Sequence, residues 1–233
     1  EAIFFMSMPE DTQIKAFDDL IKALYDANVL DSVLIIGSWA EYIYVETGLL
    51  NYMINMRTQD IDVLICNKNK PRAPLNKILV EQGFELLVDP SGLMKYDKSG
   101  EIEVEFLVRE MGRGQVEPYK TEMGVTAQGL RNMDILIDNR TQVIYKGFSV
   151  CIPKPAAYVI HKLIINKDRE DYKKEKDAEA ISNFLAFATN EAFISELKVL
   201  FENHNKKTKE KIIATCKAHA SLHEFLSIFS DYD

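Results

Sequence analysis

The 233-residue sequence predicts an α/β chain of the α+β kind, a mixed β-sheet with flanking helices followed by a C-terminal helical domain. Three observations predict it. Runs with the two-residue period of strands recur through the first two thirds of the chain, most cleanly in Glu101-Ile102-Glu103-Val104-Glu105-Phe106-Leu107-Val108. Helical apolar spacing appears before and between them, as at Ile14, Phe17, Leu20, Ile21 and Leu24. Beyond Pro153 and Pro155 the strand pattern stops and only helical periodicity remains, so the chain divides into residues 1–152 and 153–233.

In order, Met8-Pro9-Glu10-Asp11 sets a proline and two acids in a first helical turn, predicting an amphipathic helix over 9–28. Ser32-Val33-Leu34-Ile35-Ile36 reads as a short apolar strand that breaks at Gly37-Ser38 and resumes as a helix over 39–47. Residues 48–59 form a loop or an extra turn before the strand Asp60-Ile61-Asp62-Val63-Leu64-Ile65. A helix over 71–82, ended by Gly83, precedes a strand over 84–88. Asp89-Pro90-Ser91-Gly92 is a turn, 93–96 a short strand, Lys98-Ser99-Gly100 a turn again, and 101–108 the clear strand. Residues 109–132, rich in glycine and charge, predict a long loop, and 133–137 a short apolar element of either type. A hairpin around Lys146-Gly147 joins 142–145 to 148–152. Helices are predicted over 156–165, 172–188, 191–202, 206–219 and 221–229, with Ala178, Ile181, Phe184 and Leu185 facing inward.

Composition narrows the class. Hydrophobic residues are 47% and charged residues 27%, ordinary for a soluble globular chain, and no apolar run has the length of a membrane span. The opening Glu-Ala-Ile-Phe-Phe-Met is too short and too poor in basic residues for a signal peptide. Three cysteines, Cys66, Cys151 and Cys216, lack metal-ligand spacing and read as reduced, mostly buried thiols of a cytoplasmic protein. A net charge of -8 argues against non-specific coating of nucleic acid, which needs a basic surface. His161, His204, His219 and His223 lack paired metal spacing and read as structural or surface residues, and Trp39 as a core residue. The run Lys206-Lys207-Thr208-Lys209-Glu210-Lys211 reads as a solvated helix start.

Chemistry concentrates between residues 34 and 67. Side chains alternate along a strand, so Asp60 and Asp62 share a face. Two carboxylates together are expensive to bury unless a cation lies between them, and the usual hard cation is Mg²⁺. Gly37 lets the backbone approach a ligand, Ser38 adds a hydroxyl, and the helix N-terminus that follows favours a phosphate. Glu103 and Glu105 likewise share a face of their strand.

A strand ending in Gly37-Ser38, a helix, then Asp60-Ile61-Asp62 on the next strand resembles the nucleotidyltransferase superfamily, with the DNA polymerase beta-like fold. Within it the chain resembles a bacterial branch that includes abortive-infection toxins. The resemblance covers residues 32–108 by motif and 153–180 more weakly, and the spacing from Ser38 to Asp60 is longer than in compact versions. It implies that Asp60 and Asp62 bind the divalent ions, Mg²⁺ or Mn²⁺, of a two-metal site. Glu105, between Val104 and Phe106, is the implied third acid and third metal ligand, with Glu103 as the other candidate. Lys162, Arg169 and Lys176 are similar to residues of that branch that approach the triphosphate, and Lys162 is expected to complete the site from the helical domain. The activity implied is transfer of a nucleoside monophosphate from an NTP such as ATP, with release of pyrophosphate. The acceptor stays open among RNA, protein and small molecules. The rival readings are a non-catalytic nucleotide-binding or protein-interaction module, and one half of a toxin–antitoxin pair.

Overall fold

The structure is a computed structural model that describes residues 11–50, 58–67, 71–112, 114, 117–187 and 190–229. It forms two compact units, Glu1–Pro153 and Lys154–Asp233.

The first unit is built on a mixed sheet. Helix α1 (Asp11–Asp26) leads through a short 3-10 turn, Leu30–Ser32, into β1 (Val33–Ile36), whose four residues are all buried. Ser32 therefore belongs to the turn rather than to the strand. Helix α2 (Ser38–Glu46) follows, then β2 (Asp60–Ile65), α3 (Leu75–Glu81), β3 (Glu85–Val88), β4 (Met94–Lys98) and β5 (Ile102–Arg109). The strand order is β1-β2-β5-β4-β3, with β2 parallel to β5 and the other neighbours in that row antiparallel. The helix expected over 71–82 starts only at Leu75. Pro74 holds extended backbone at its N-cap, and a residue before a helix that has φ fixed by its own ring is a natural starting point. The extra segment expected between residues 48 and 59 falls largely on 51–57, outside the described residues, as do residues 9 and 10 of the first helix.

The long loop expected over 109–132 is partly a sheet. Strand β6 (Tyr119–Lys120) pairs with β7 (Thr126–Leu130), and β7 runs parallel to β5 from Leu107↔Gln128 to Arg109↔Leu130. The physical reason lies in β5. It is longer than β4, which pairs only as far as Glu105, so the backbone groups of the next residues on that edge need another partner. Gly129 belongs there because a Cβ at that position would lie 2.6 Å from the Tyr119 ring.

The undecided element at 133–137 is a short helix, α4 (Asp134–Asp138), and it leads to the hairpin of β8 (Arg140–Tyr145) and β9 (Phe148–Pro153). An aromatic cluster fixes α1 to α2 and to this hairpin. Phe17 stacks on Trp39 at 4.3 Å and meets the Tyr145 ring edge-on at 5.6 Å, while the Tyr145 hydroxyl donates to Asp18 at 2.7 Å. Trp39 is fully buried in this cluster.

The second unit is helical: α5 (Pro155–Asn166), α6 (Asp171–Ser182), a 3-10 turn Asn183–Phe187, α7 (Glu191–Glu202), α8 (Lys206–Ala218) and α9 (His223–Ile228). Helix α5 is its centre and packs against α6, α7 and α8. Asn190 and Asn205 cap α7 and α8 through their side-chain oxygens. The lysine run that opens α8 is not wholly solvated, because Lys209 is buried and pairs with Glu202 at 2.5 Å. The thiols Cys66, Cys151 and Cys216 are free. Among the described residues no helix is long and apolar enough to cross a membrane.

Candidate active site

The parallel pairing of β2 with β5 sets the carboxylates. Its register places Asp60 beside Glu103 and Asp62 beside Glu105. Neighbouring strands lie about 4.8 Å apart, so the four acids form two cross-strand pairs on one face. The opposite face of β5 is Ile102, Val104 and Phe106, all fully buried, which fixes the direction in which Glu103 and Glu105 point. Four hydrogen bonds hold this register. The Glu103 amide donates to the Gln59 carbonyl at 2.8 Å, the Gln59 amide side chain donates to the Gly100 carbonyl at 2.7 Å, and Gln13 of α1 reaches the carbonyls of both Thr58 and Glu101.

One residue pair further along the same face the chemistry changes. Leu64 and Leu107 join Leu34, Ile36, Met133, Leu136 and Cys151 in an apolar cluster. Asp60 is exposed, whereas Asp62, Glu103 and Glu105 are half-buried at the margin of that cluster. The acids thus stand where solvent gives way to a dry wall, and low-dielectric walls strengthen the field they cast.

Gly37 meets this face directly. The last residue of β1, Ile36, pairs with Asp62, so the turn into α2 begins beside the Asp62 carboxylate. Gly37 has φ +67 and ψ -151, a region essentially reserved for glycine, and a Cβ there would lie 3.2 Å from Asp62 Oδ2. Helix α2 starts at Ser38 with no side-chain cap. Its first turn also carries Glu41, which is buried. Replacing Gly37 by alanine is expected to lose about 1–3 kcal/mol of stability through the strained backbone, and to displace Asp62. Chemical denaturation checks it, and a variant as stable as the parent contradicts the geometry.

Lys95, which the sequence reading passed over, occupies the same face. It is paired in register with Glu105, and its ammonium contacts Glu105 and, at 2.7 Å, Glu103. The hydrogen bonds it donates, first to Glu103 and then to Glu105, raise its pKa well above the ordinary lysine value, so it stays charged. The only sequence signal was its place on a short strand next to the acid-bearing one, and strand order is not readable from one sequence.

The helical unit brings together two of its three expected phosphate ligands. The Lys162 ammonium pairs with Asp177 Oδ1 at 2.6 Å, and Arg169 Nε lies 3.4 Å from Oδ2 of the same carboxylate. Asp177 is buried and its side chain is only 4% exposed, so this is an interior ion cluster rather than a surface one. Lys176, one residue earlier in α6, is exposed and lines a shallow hollow with Tyr172, Glu175 and Ser221. His161 is buried beside them. Burial, with the charges of Lys162 and Arg169, lowers its pKa to about 3 and keeps it neutral.

A divalent cation can be tested against these donors. Among the described residues no three histidine, cysteine or acidic groups converge to hold a metal unaided. The donor set nevertheless fits Mg²⁺, a hard ion bound by one or two carboxylates together with waters and substrate phosphates. Asp60 and Asp62 supply two such carboxylates, and Gly37 keeps a close approach to Asp62 open where any other side chain would fill it.

A family model described as nucleotidyltransferase matches residues 15–202. The chain belongs to the nucleotidyltransferase family. The match runs through the whole carboxylate face and into α7, and it makes the chain a transferase. Among solved structures, the antibiotic-resistance factor ANT(2'')-Ia is similar at 14% identity and a TM-score of 0.47, covering 97% of this chain and 100% of that one. An antigenic nucleotidyltransferase-like protein from Paracoccidioides brasiliensis is similar at 16% identity and a TM-score of 0.44, covering 89% of this chain and 94% of that one. No curated protein matches the sequence.

Proposed function

We propose that this nucleotidyltransferase is metal-dependent, moving a nucleoside monophosphate from an NTP to an acceptor and releasing pyrophosphate. The observation that carries the reading is the register of β2 on β5, which sets Asp62 beside Glu105 while Gly37 presses against Asp62 from the other side. Asp60 and Asp62 would hold Mg²⁺ or Mn²⁺, which when bound offsets triphosphate charge and activates the attacking oxygen. Gly37 and Ser38 would seat phosphate oxygens on the backbone at the start of α2, sharing that helix end with Glu41. Glu105, at the dry end of the face, would orient the acceptor hydroxyl and take its proton.

Lys162, Arg169 and Lys176 are the proposed cations for the triphosphate. Lys162 and Arg169 around Asp177 together carry one net positive charge, which supports that role for the group rather than for Lys162 alone. The acceptor belongs to RNA, protein or small molecules.

The two glutamates separate the roles. Glu105→Gln is expected to abolish transfer while NTP binding stays nearly intact, because a neutral amide cannot take the acceptor proton. Glu103→Gln, beside the exposed Asp60, is expected to be mild. Rates of pyrophosphate release with calorimetric NTP affinities check both, and the reverse ranking would move the third acid to Glu103.

A further inference from the structure

We propose that Lys95 is a positioning residue, a built-in cation that ties Glu105 to Glu103 and thereby limits the nucleotide-free site to one divalent ion at Asp60 and Asp62. The inference rests on the metal-dependent reading above and adds to it a cation supplied by the chain itself.

Four carboxylates share one face of two adjacent strands, and their charges oppose one another. A second cation is needed to hold Glu103 and Glu105 together, two residues apart on β5. The antiparallel register of β4 puts Lys95 directly across from Glu105, and the side chain leans to Glu103 as well. Other charged groups of β4 are committed elsewhere. Asp97 accepts from the Gly100 amide at 2.9 Å, and Lys98 pairs with Asp19 of α1 while donating to the Gln82 carbonyl. Lys95 is half-buried, with its side chain 29% exposed, so its ammonium is less screened than that of a free surface lysine.

An ammonium in contact with both glutamates competes with any metal for the same oxygens. A first ion then has Asp60 and Asp62, the two carboxylates that the metal-dependent reading assigns to it. Lys95 also fixes Glu105 on the face that it shares with Asp62, its partner in register. Freed of Lys95, Glu105 would instead join Asp62 as a metal ligand.

The test is calorimetric titration of the nucleotide-free full chain with Mn²⁺. The unmodified protein is expected to bind a single weak equivalent that Asp60→Asn removes. Lys95→Gln is expected to gain a second equivalent, or to bind the first at least tenfold more tightly, and the added change Glu105→Gln should remove the gain. Lys95→Arg, which keeps the charge, should titrate as the parent does. Where Lys95→Gln alone is too unstable to purify, Lys95→Gln with Glu103→Gln removes the charge and one of its partners together and asks the same question. Unchanged Mn²⁺ binding on loss of Lys95, with Asp60→Asn still abolishing it, overturns the role of Lys95 and leaves the metal reading standing. Absence of Mn²⁺ binding in every variant, with and without NTP, overturns both.

Discussion

Asp60→Asn combined with Asp62→Asn is expected to remove metal-dependent NTP binding and to lower transfer by roughly 10³-fold or more. The magnitude follows from the several kcal/mol of charge stabilisation that a divalent ion contributes to such a reaction, about 4 kcal/mol corresponding to 10³-fold. The substitution keeps shape and hydrogen-bonding capacity and removes charge, so its effect reads electrostatics. Asp60 is exposed, and Asp62 is half-buried at the sheet margin, so loss of fold is not expected to accompany loss of binding. Calorimetry with NTP and Mg²⁺, against NTP with chelator, measures it. Equal metal-dependent affinity in parent and variant would remove Asp60 and Asp62 from the metal site.

Lys162→Met is expected to destabilise the helical unit by about 3 kcal/mol. Breaking a buried pair from one side leaves the other charge uncompensated, and such losses run to about 3–5 kcal/mol. The lower end applies because Arg169 still stands 3.4 Å from Asp177. A lysine that served only to bind phosphate would lose NTP affinity here with little loss of stability. The pairing of Lys162 with Asp177 adds the stability cost. Lys162→Met with Asp177→Leu replaces the pair by apolar groups and should recover most of the loss, since buried ion pairs and well-packed hydrophobic residues are of similar worth. The double-mutant cycle gives the coupling directly. The stable double variant then tests the phosphate role, because an unchanged NTP affinity in it would make Lys162 purely structural.

What was legible in the sequence was local. The alternation of Glu101 to Val108 gave the faces of β5, and the Asp60-Ile61-Asp62 spacing gave the shared face of the aspartates, because a strand's period is two whatever surrounds it. The break at Gly37 was legible because its backbone conformation excludes other residues. What stayed hidden was pairing between distant segments. Lys95 lies on the acidic face only because β4 is the neighbour of β5, and Asp177 meets Lys162 only because α6 packs on α5. Strand β7 carries Thr126-Ala127-Gln128-Gly129-Leu130, with little strand propensity of its own, and is a strand because an open edge of β5 and the ring of Tyr119 shape it. Tertiary context decided each of these.

The central claim is that the carboxylate face transfers a nucleoside monophosphate. The most direct measurement incubates the purified chain with Mg²⁺ and NTP labelled at the α-phosphate or, separately, at the γ-phosphate, in the presence of cell extract. The account predicts label from the α-phosphate on an acceptor, label from the γ-phosphate in free pyrophosphate, and neither with Asp60→Asn and Asp62→Asn. Transfer of the γ-label to the acceptor, or α-label transfer that survives loss of both aspartates, would contradict it.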